Sequence, residues 1–443
     1  MRLSQRTLSQ RVAIAVLAAA LSACSSMRSM APSVVPAGQD PAATTRKALS
    51  LSAFPSSIDA WPSSLGAFPS TLSAFAACQT QSNQAQCHSQ WRSDITVNPN
   101  AFTPASQIQG FQPNDLQNAY DVPWHAANEG GDQTIGIVVA YHDPNLSTAL
   151  NVYRATFGLQ KCTSNNGCLT VVWGNSGSGN GWGGNGWGGP GNGNTPSFNQ
   201  GWAIEEELDV EMASAICPNC NILVSEAADA ELQNLASAVT LAVNQGATEV
   251  SNSYSVPETP DMAQYASAYK ANGVPMTVSA GDRGFGPGFP ATLSTVTAVG
   301  GASLVNSNGN WGEAVWPGTG SGCSTFVQKP SWQSDTGCSN RTVNDVAVVA
   351  DPGTGVAAYV PYVGGWAVFG GTSVGAPIVA GLYALAENGA YVNNPSILYK
   401  HANAFAPVTS RANGTCYPNY LCSGGPGYDG PSGLGMPIGV GAF

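Results

Sequence analysis

Charged side chains are scarce in this sequence: Asp, Glu, Lys and Arg make up only 9% of 443 residues, against about 25% in an ordinary soluble domain. Cations are the scarcer sign. Fifteen Lys and Arg stand against 26 Asp and Glu, for a net charge of −11. A chain so poor in basic residues lacks the positive face that phosphate backbones require, which argues against nucleic acid as a partner. A charge-poor acidic surface suits acidic surroundings, where protonating carboxylates builds up less positive self-repulsion. Histidine is rarer still. The four are His88, His125, His142 and His401, and none stands in a His-Gly-Thr context at the start of a helix. Beyond the N-terminal segment there is no apolar run long enough to span a bilayer.

What the chain has is hydrophobic mass and turn residues. Hydrophobic residues reach 43%, with 52 Gly and 30 Pro, enough for one large domain with a sizeable core and long loops. The N-terminus reads as a targeting segment. Arg2, Arg6 and Arg11 precede a short apolar run over residues 12–21, and Leu21-Ser22-Ala23-Cys24 follows. Small residues before a Cys form a lipobox, so the expectation is a lipoprotein-type signal over residues 1–24, with lipid on Cys24 anchoring the chain to a membrane. The alternative is an ordinary signal peptide cut near Ala23. Cysteine numbers agree with export. Of 11, ten remain after Cys24, in five local pairs: Cys78/Cys87, Cys162/Cys168, Cys217/Cys220, Cys323/Cys338 and Cys416/Cys422. Small disulfide loops in an oxidising compartment are expected. Cys217-Pro218-Asn219-Cys220 also has zinc-like or redox spacing, but no second pair or nearby His completes four metal ligands.

Residues 25–111, rich in Ala, Ser, Pro, Thr and Gln, read as a low-complexity tether and a small, weakly ordered module closed by Cys78/Cys87. From 112 to 443 strands and helices alternate. Strands are expected over 135–141, 169–173, 221–225, 249–254, 274–279 and 296–304, with further strand and turn over 344–359. Helices are expected over 146–157, 202–216, 230–245, 261–272 and 372–388. That order predicts an α/β fold, a parallel sheet with helices on both faces. Residues 174–201 form a Gly/Asn-rich loop carrying Trp182 and Trp187, either a tolerated insertion or an aromatic contact to substrate.

Three motifs carry chemistry. In Gly370-Gly371-Thr372-Ser373-Val374-Gly375-Ala376-Pro377 the glycines permit a tight turn and Ser373 stands at a helix N-terminus. There the dipole helps stabilise an oxyanion. Capping of a buried helix is the plainer role for the same residues. In Trp202-Ala203-Ile204-Glu205-Glu206-Glu207-Leu208-Asp209, the four-residue spacing puts Glu205 and Asp209 on one helix face, at the edge of an apolar row. Glu207 and Glu211 read as the solvated row. In Ser279-Ala280-Gly281-Asp282-Arg283-Gly284 an Asp follows a strand, where α/β sheets place ligands; an Asx-turn is the alternative.

These residues together resemble the sedolisin family of serine-carboxyl peptidases, which have a subtilisin-like fold. The resemblance runs from about residue 111 to the end. It includes Ala140-Tyr141-His142-Asp143-Pro144-Asn145, Ser251-Asn252-Ser253-Tyr254, Thr297-Ala298-Val299-Gly300-Gly301 and Gly427-Tyr428-Asp429. It implies a serine-type endopeptidase active at acidic pH. Ser373 would be the nucleophile, Glu205 the base, Asp209 its proton-sharing partner and Asp282 a protonated oxyanion donor. The edge from Ser251 to Ser255, with Ser253, Tyr254 and Gly281, would bind an extended substrate peptide; Ser255 stands where the family has Gly. The family's C-terminal calcium site would use Asp429 and the carbonyl of Val408, but Pro407 replaces its other Asp. No cofactor is therefore expected to be required, and calcium is expected to bind weakly if at all. Residues 25–111 are too short and polar for the family's folded pro-domain. The expected protein is a monomer acting on proteins or peptides, exported to the cell envelope or exterior. The competing readings are an inactive surface lipoprotein of the same fold with a binding role, and a peptidase with a His base.

Overall fold

The structure, a computed structural model, describes residues 74–81, 84–92, 94, 102–174 and 195–443. The expected signal with Cys24, the tether as far as residue 73, and Trp182 and Trp187 lie outside the described residues. In chain order the first strands are β1 (Ala74–Ala76), β2 (Gln86–Cys87), β3 (Gln90–Arg92), β4 (Thr134–Ala140), β5 (Leu169–Trp173), β6 (Asn221–Ala227), β7 (Glu249–Asn252), β8 (Tyr254–Pro257) and β9 (Met276–Ser279). They are followed by β10 (Gly288–Phe289), β11 (Thr297–Ser307), β12 (Asn310–Val315), β13 (Gly322–Gln328), β14 (Asn340–Val343), β15 (Val346–Val349), β16 (Val356–Val360) and β17 (Gly365–Gly370). The long helices are α1 (Leu146–Thr156), α2 (Gln200–Ile216), α3 (Leu232–Asn244) and α4 (Thr372–Ala386).

Runs such as Ile135-Gly136-Ile137-Val138-Val139 are apolar without alternation, as strands covered on both faces must be. They build an eight-stranded sheet in the order β12-β11-β9-β7-β4-β6-β5, with β15 also on β11. Every pair in it is parallel except β11 with β12. The fold is therefore the expected α/β sheet, with helices on both faces. Helices α2 and α4 pack on each other and on the sheet, and α3 packs on β4 and β6. The α2–α4 contact depends on a missing side chain: a Cβ on Gly381 would come within 2.8 Å of Ile216 Cγ2.

Some elements differ from expectation. Residues 261–272 are not an α-helix but a 3-10 stretch, Pro260–Tyr269, of which only Tyr269 is fully buried. Residues 249–254 split at Ser253 into β7 and β8. The Cys78/Cys87 segment is not a weakly ordered module. Its β2 pairs with β8, and β3 lies between β1 and β17. All five cysteine pairs are disulfides, so Cys217 and Cys220 ligate no metal.

The largest departure lies in α2. Glu207 and Glu211 were expected on a solvated row, yet Glu205, Glu206, Glu207, Asp209 and Glu211 are all buried. Helix α2 is enclosed by α4, α1 and β16, which leaves it no wet face. Glu211 Oε2 accepts the Tyr359 N–H at 2.9 Å, while Glu206 and Glu207 meet the neighbouring carboxyls of Glu226 and Asp143. None of the five is ion-paired to a Lys or Arg among the described residues. Burial, reinforced by Asp143 and Glu211, pushes Glu207 up to about 11. Burial and neighbouring carboxylates likewise hold Glu206 far above the ordinary range, and burial alone does so for Glu211.

These carboxyls keep their protons to higher pH in the fold than in the unfolded chain. Their stabilising effect is complete below about pH 4.5, the ordinary carboxyl range, and is lost as pH rises through the raised values. Calorimetry should find the melting temperature highest near about pH 4 and lower by roughly 5 °C or more at about pH 8. A midpoint that climbs over that interval would contradict this account of α2.

Candidate active site

Helix α4 begins where β17 ends, and Gly371 makes the turn with φ +92°, a left-handed conformation that suits glycine. The turn sets Ser373 in the first turn of α4, fully buried. The Ser373 hydroxyl donates to the Ser253 carbonyl at 3.3 Å and lies close enough to Glu205 to favour its charged form. Pro377 lies inside α4 and has no N–H to give the Ser373 carbonyl four residues back.

Helix α2 delivers Glu205 and Asp209 from one face. Burial pushes Glu205 up to about 8, opposed by the Ser373 and Ser89 hydroxyls and the Ser89 N–H. Burial, then the adjacent Glu205 charge, holds Asp209 well above the usual range. Asp209 Oδ1 accepts the Ser253 hydroxyl at 2.9 Å. Glu205 Oε1 and Asp209 Oδ2 have no other partner. Two buried carboxyls so placed hold one proton between them over a wide pH range, and that titration belongs to the pair.

Asp282 reaches the site from the turn after β9. Its Oδ1 accepts the Thr372 N–H at 2.8 Å and the Thr372 hydroxyl at 2.9 Å. Its Oδ2 accepts the Gln90 amide at 2.9 Å. Burial of the carboxyl pushes Asp282 up to about 7 against those bonds, so in acid it is a neutral donor.

The cleft between these groups is filled by the chain itself. Strand β2 lies antiparallel on β8, Gln86 opposite Ser255 and Cys87 opposite Tyr254. Past Ser373 and Glu205 the same segment continues as β3 on β17, Gln90 opposite Gly370. Between them the His88 N–H donates to Ser373 Oγ at 3.0 Å, and the Ser89 N–H donates to Glu205 Oε2 at 2.9 Å. The His88 carbonyl oxygen and Asp282 Oδ2 converge on Gly371: a Cβ there would fall 1.8 Å from the first and 2.6 Å from the second. The His88 imidazole bonds Ser279 Oγ at 2.7 Å and Ser255 Oγ at 2.8 Å. Burial, aided by the Arg283 charge, lowers His88 to about 3 and keeps the ring neutral. Arg283 bonds Thr80 and Gln86, and the Cys78–Cys87 disulfide closes the loop behind them.

The structure thus brings Ser373, Glu205, Asp209, Asp282 and Ser253 together. Gly281 borders the His88 ring, since a Cβ there would lie 3.9 Å from His88 Cε1. Ser251 and Tyr254 do not turn their side chains into the cleft. Ser251 is buried within the sheet, between β4 and β9. The Tyr254 hydroxyl bonds Asn252 and Tyr269 in the core, and only its backbone meets the segment. His142 bonds Glu226 at 2.8 Å. Sequence reasoning put Ser255 on the substrate edge but missed Ser89, Gln90 and Ser279 as site neighbours, and it did not bring His88 to Ser373. The available signal was Cys87, whose local disulfide fixes the residues that follow it. Near the C-terminus, Asp429 Oδ1 accepts the Ser432 N–H at 2.8 Å and hydroxyl at 2.7 Å, and Oδ2 accepts the Gly425 N–H at 3.0 Å. Burial pushes Asp429 up to about 7. Pro407 offers no side-chain oxygen and the Val408 carbonyl faces Gly424. One carboxylate already saturated by N–H and O–H donors does not fit a calcium ion, which takes six to eight oxygens.

No family model matches the chain. It is 34% identical over 278 residues to kumamolisin of Bacillus sp. (strain MN-32), covering 53% of this chain and 49% of that protein. It is 28% identical over 202 residues to sedolisin of Pseudomonas sp. (strain 101), covering 37% and 33%. It is 28% identical over 208 residues to tripeptidyl-peptidase 1 of Bos taurus, covering 38% and 36%. The matched regions span half or less of these relatives' length. Among solved structures it is similar to Pseudomonas sedolisin, a serine-carboxyl proteinase complexed with two molecules of pseudo-iodotyrostatin. There the TM-score is 0.60 and the identity 25%, over 75% of this chain and 96% of that one.

The close approach at Gly371 makes a prediction about the seated segment. In Gly371→Ala the new methyl collides with the His88 carbonyl. Hydrogen exchange at the amides of residues 86–91 should accelerate by roughly tenfold or more, while β4 and β7 stay protected. Unchanged protection of His88 and Ser89 in that variant would show that the segment is not held over Gly371.

Proposed function

We propose that this chain is a serine-type endopeptidase of the sedolisin kind that hydrolyses proteins or peptides in acid. One observation carries the reading: the chain's own His88–Ser89 peptide bond lies across Ser373 and Glu205 as a scissile bond would. Ser373 Oγ attacks the carbonyl carbon and its proton passes to Glu205, whose share of the pair's proton is adjusted by Asp209. Neutral Asp282 donates to the oxyanion. Glu205 then protonates the leaving nitrogen, the site where it now accepts the Ser89 N–H. The C–N bond breaks and leaves an acyl ester on Ser373. Water, deprotonated by Glu205, hydrolyses the ester and restores the hydroxyl. No imidazole takes part, because His88 is bound in the cleft through its ring and His142 is engaged by Glu226.

The intact set of catalytic groups favours this reading over an inactive binding protein. Segment 84–92 occupies the cleft, so turnover of other substrates follows its cleavage or displacement. The disulfides support export to an oxidising compartment. Lipid on Cys24, a membrane anchor and a monomeric state remain parts of the same proposal. Calcium is proposed to be dispensable, on the saturated Asp429 carboxylate.

Ser373→Ala and Glu205→Ala should each lower kcat by roughly a thousandfold or more while circular dichroism stays unchanged; near-normal turnover in folded Glu205→Ala would move the base elsewhere. Activity should be highest in acid and decline as pH rises through about 7, where Asp282 loses its donor proton, and further as the Glu205/Asp209 pair, raised by burial, loses the proton it shares. A pH–rate profile centred at or above about pH 8 would point to a different base. A chelator should leave the melting temperature unchanged, whereas a reductant should lower it; a large chelator effect reversed by Ca²⁺ would restore the metal site.

A further inference from the structure

The His88 side chain is held more closely than anything required to lay a peptide over Ser373. The residue is 6% exposed. Nδ1 meets Ser279 Oγ at 2.7 Å on one side and Nε2 meets Ser255 Oγ at 2.8 Å on the other. A hydroxyl donates or accepts, so two serines satisfy either neutral tautomer of imidazole. Gly281 leaves room for the ring edge. Arg283, tied to Thr80 and Gln86 at the mouth, opposes a cationic side chain. An aliphatic side chain would strand the fully buried Ser279 hydroxyl and leave half-buried Ser255 without its ring partner, which costs more than its apolar contact returns.

We propose that Ser255 and Ser279 form a specificity pocket for imidazole, so that the site prefers the peptide bond following a histidine. The inference rests on the peptidase reading for its chemistry, and on the geometry around His88 for its selectivity.

Two experiments on the full chain separate the two. In the first, a peptide library is digested at about pH 6.5, where free imidazole is half neutral, by the wild type, Ser255→Gly and Ser279→Ala. Histidine should precede the cleaved bond about tenfold or more above leucine in the wild type, and that ratio should fall severalfold in each variant. Cleavage without histidine enrichment, or the same enrichment in both variants, overturns the pocket. In the second, hydrogen exchange at the amides of residues 86–91 is compared between Ser373→Ala and the His88→Leu, Ser373→Ala double variant, in which the segment itself is the occupant. Exchange should be about tenfold or more faster with leucine in the pocket. If the library stays uncut while that difference persists, the peptidase reading fails and the pocket stands. Equal exchange in the two proteins overturns the pocket whatever the chemistry.

Discussion

Helix α2 carries five carboxyls into a place that offers neither water nor an ion-pairing cation among the described residues, and the rest of the structure is arranged around that fact. An isolated buried carboxylate is too costly to keep, so the groups hold protons instead. One pair on this helix, Glu205 and Asp209, opens towards Ser373. The same enclosure that raises their affinity for protons makes them useful in acid, where a carboxyl must accept and return a proton near its own pKa. On the proposed mechanism, stability and chemistry draw on one source.

The position of Ser373 follows from backbone geometry. Strand β17 ends at Gly370, Gly371 turns in a conformation that suits glycine, and α4 starts at Thr372. Thr372 fixes Asp282 through its N–H and hydroxyl, and Ser253 links Asp209 to the strand edge. A peptide laid from β8 to β17 must cross all of these groups. Segment 84–92 takes that route, which explains why a short, polar stretch becomes ordered. Its hydrogen bonds are those of a substrate strand, and the Cys78–Cys87 disulfide and Arg283 hold its near end.

Much of this was legible in the sequence, and the limits have physical causes. The alternation of apolar strands and helices announced the sheet, since apolar runs without polar alternation such as 135–139 have few other uses. Ser373, Glu205, Asp209 and Asp282 carried local signals: a Gly-Thr-Ser turn, a four-residue helical spacing, an Asp after a strand. Glu207 and Glu211 were misplaced because a helix enclosed all round has no polar face for periodicity to report. His88 escaped because its role is defined by partners such as Ser279 and Ser255, which are remote in sequence. Composition called residues 25–111 weakly ordered, and composition does not register a strand that owes its order to the edges of another sheet.

The central claim is that the chain presents its own His88–Ser89 bond to Ser373 in the orientation of a substrate. Intact-mass measurement of the purified full chain over time after a shift to acid tests it most directly. The account predicts a new fragment beginning at Ser89 and ending at Phe443, formed at a rate independent of protein concentration and absent in Ser373→Ala. A chain that hydrolyses added peptides while its own His88–Ser89 bond stays intact, or Ser373→Ala protein cut at that bond at the wild-type rate, would contradict it.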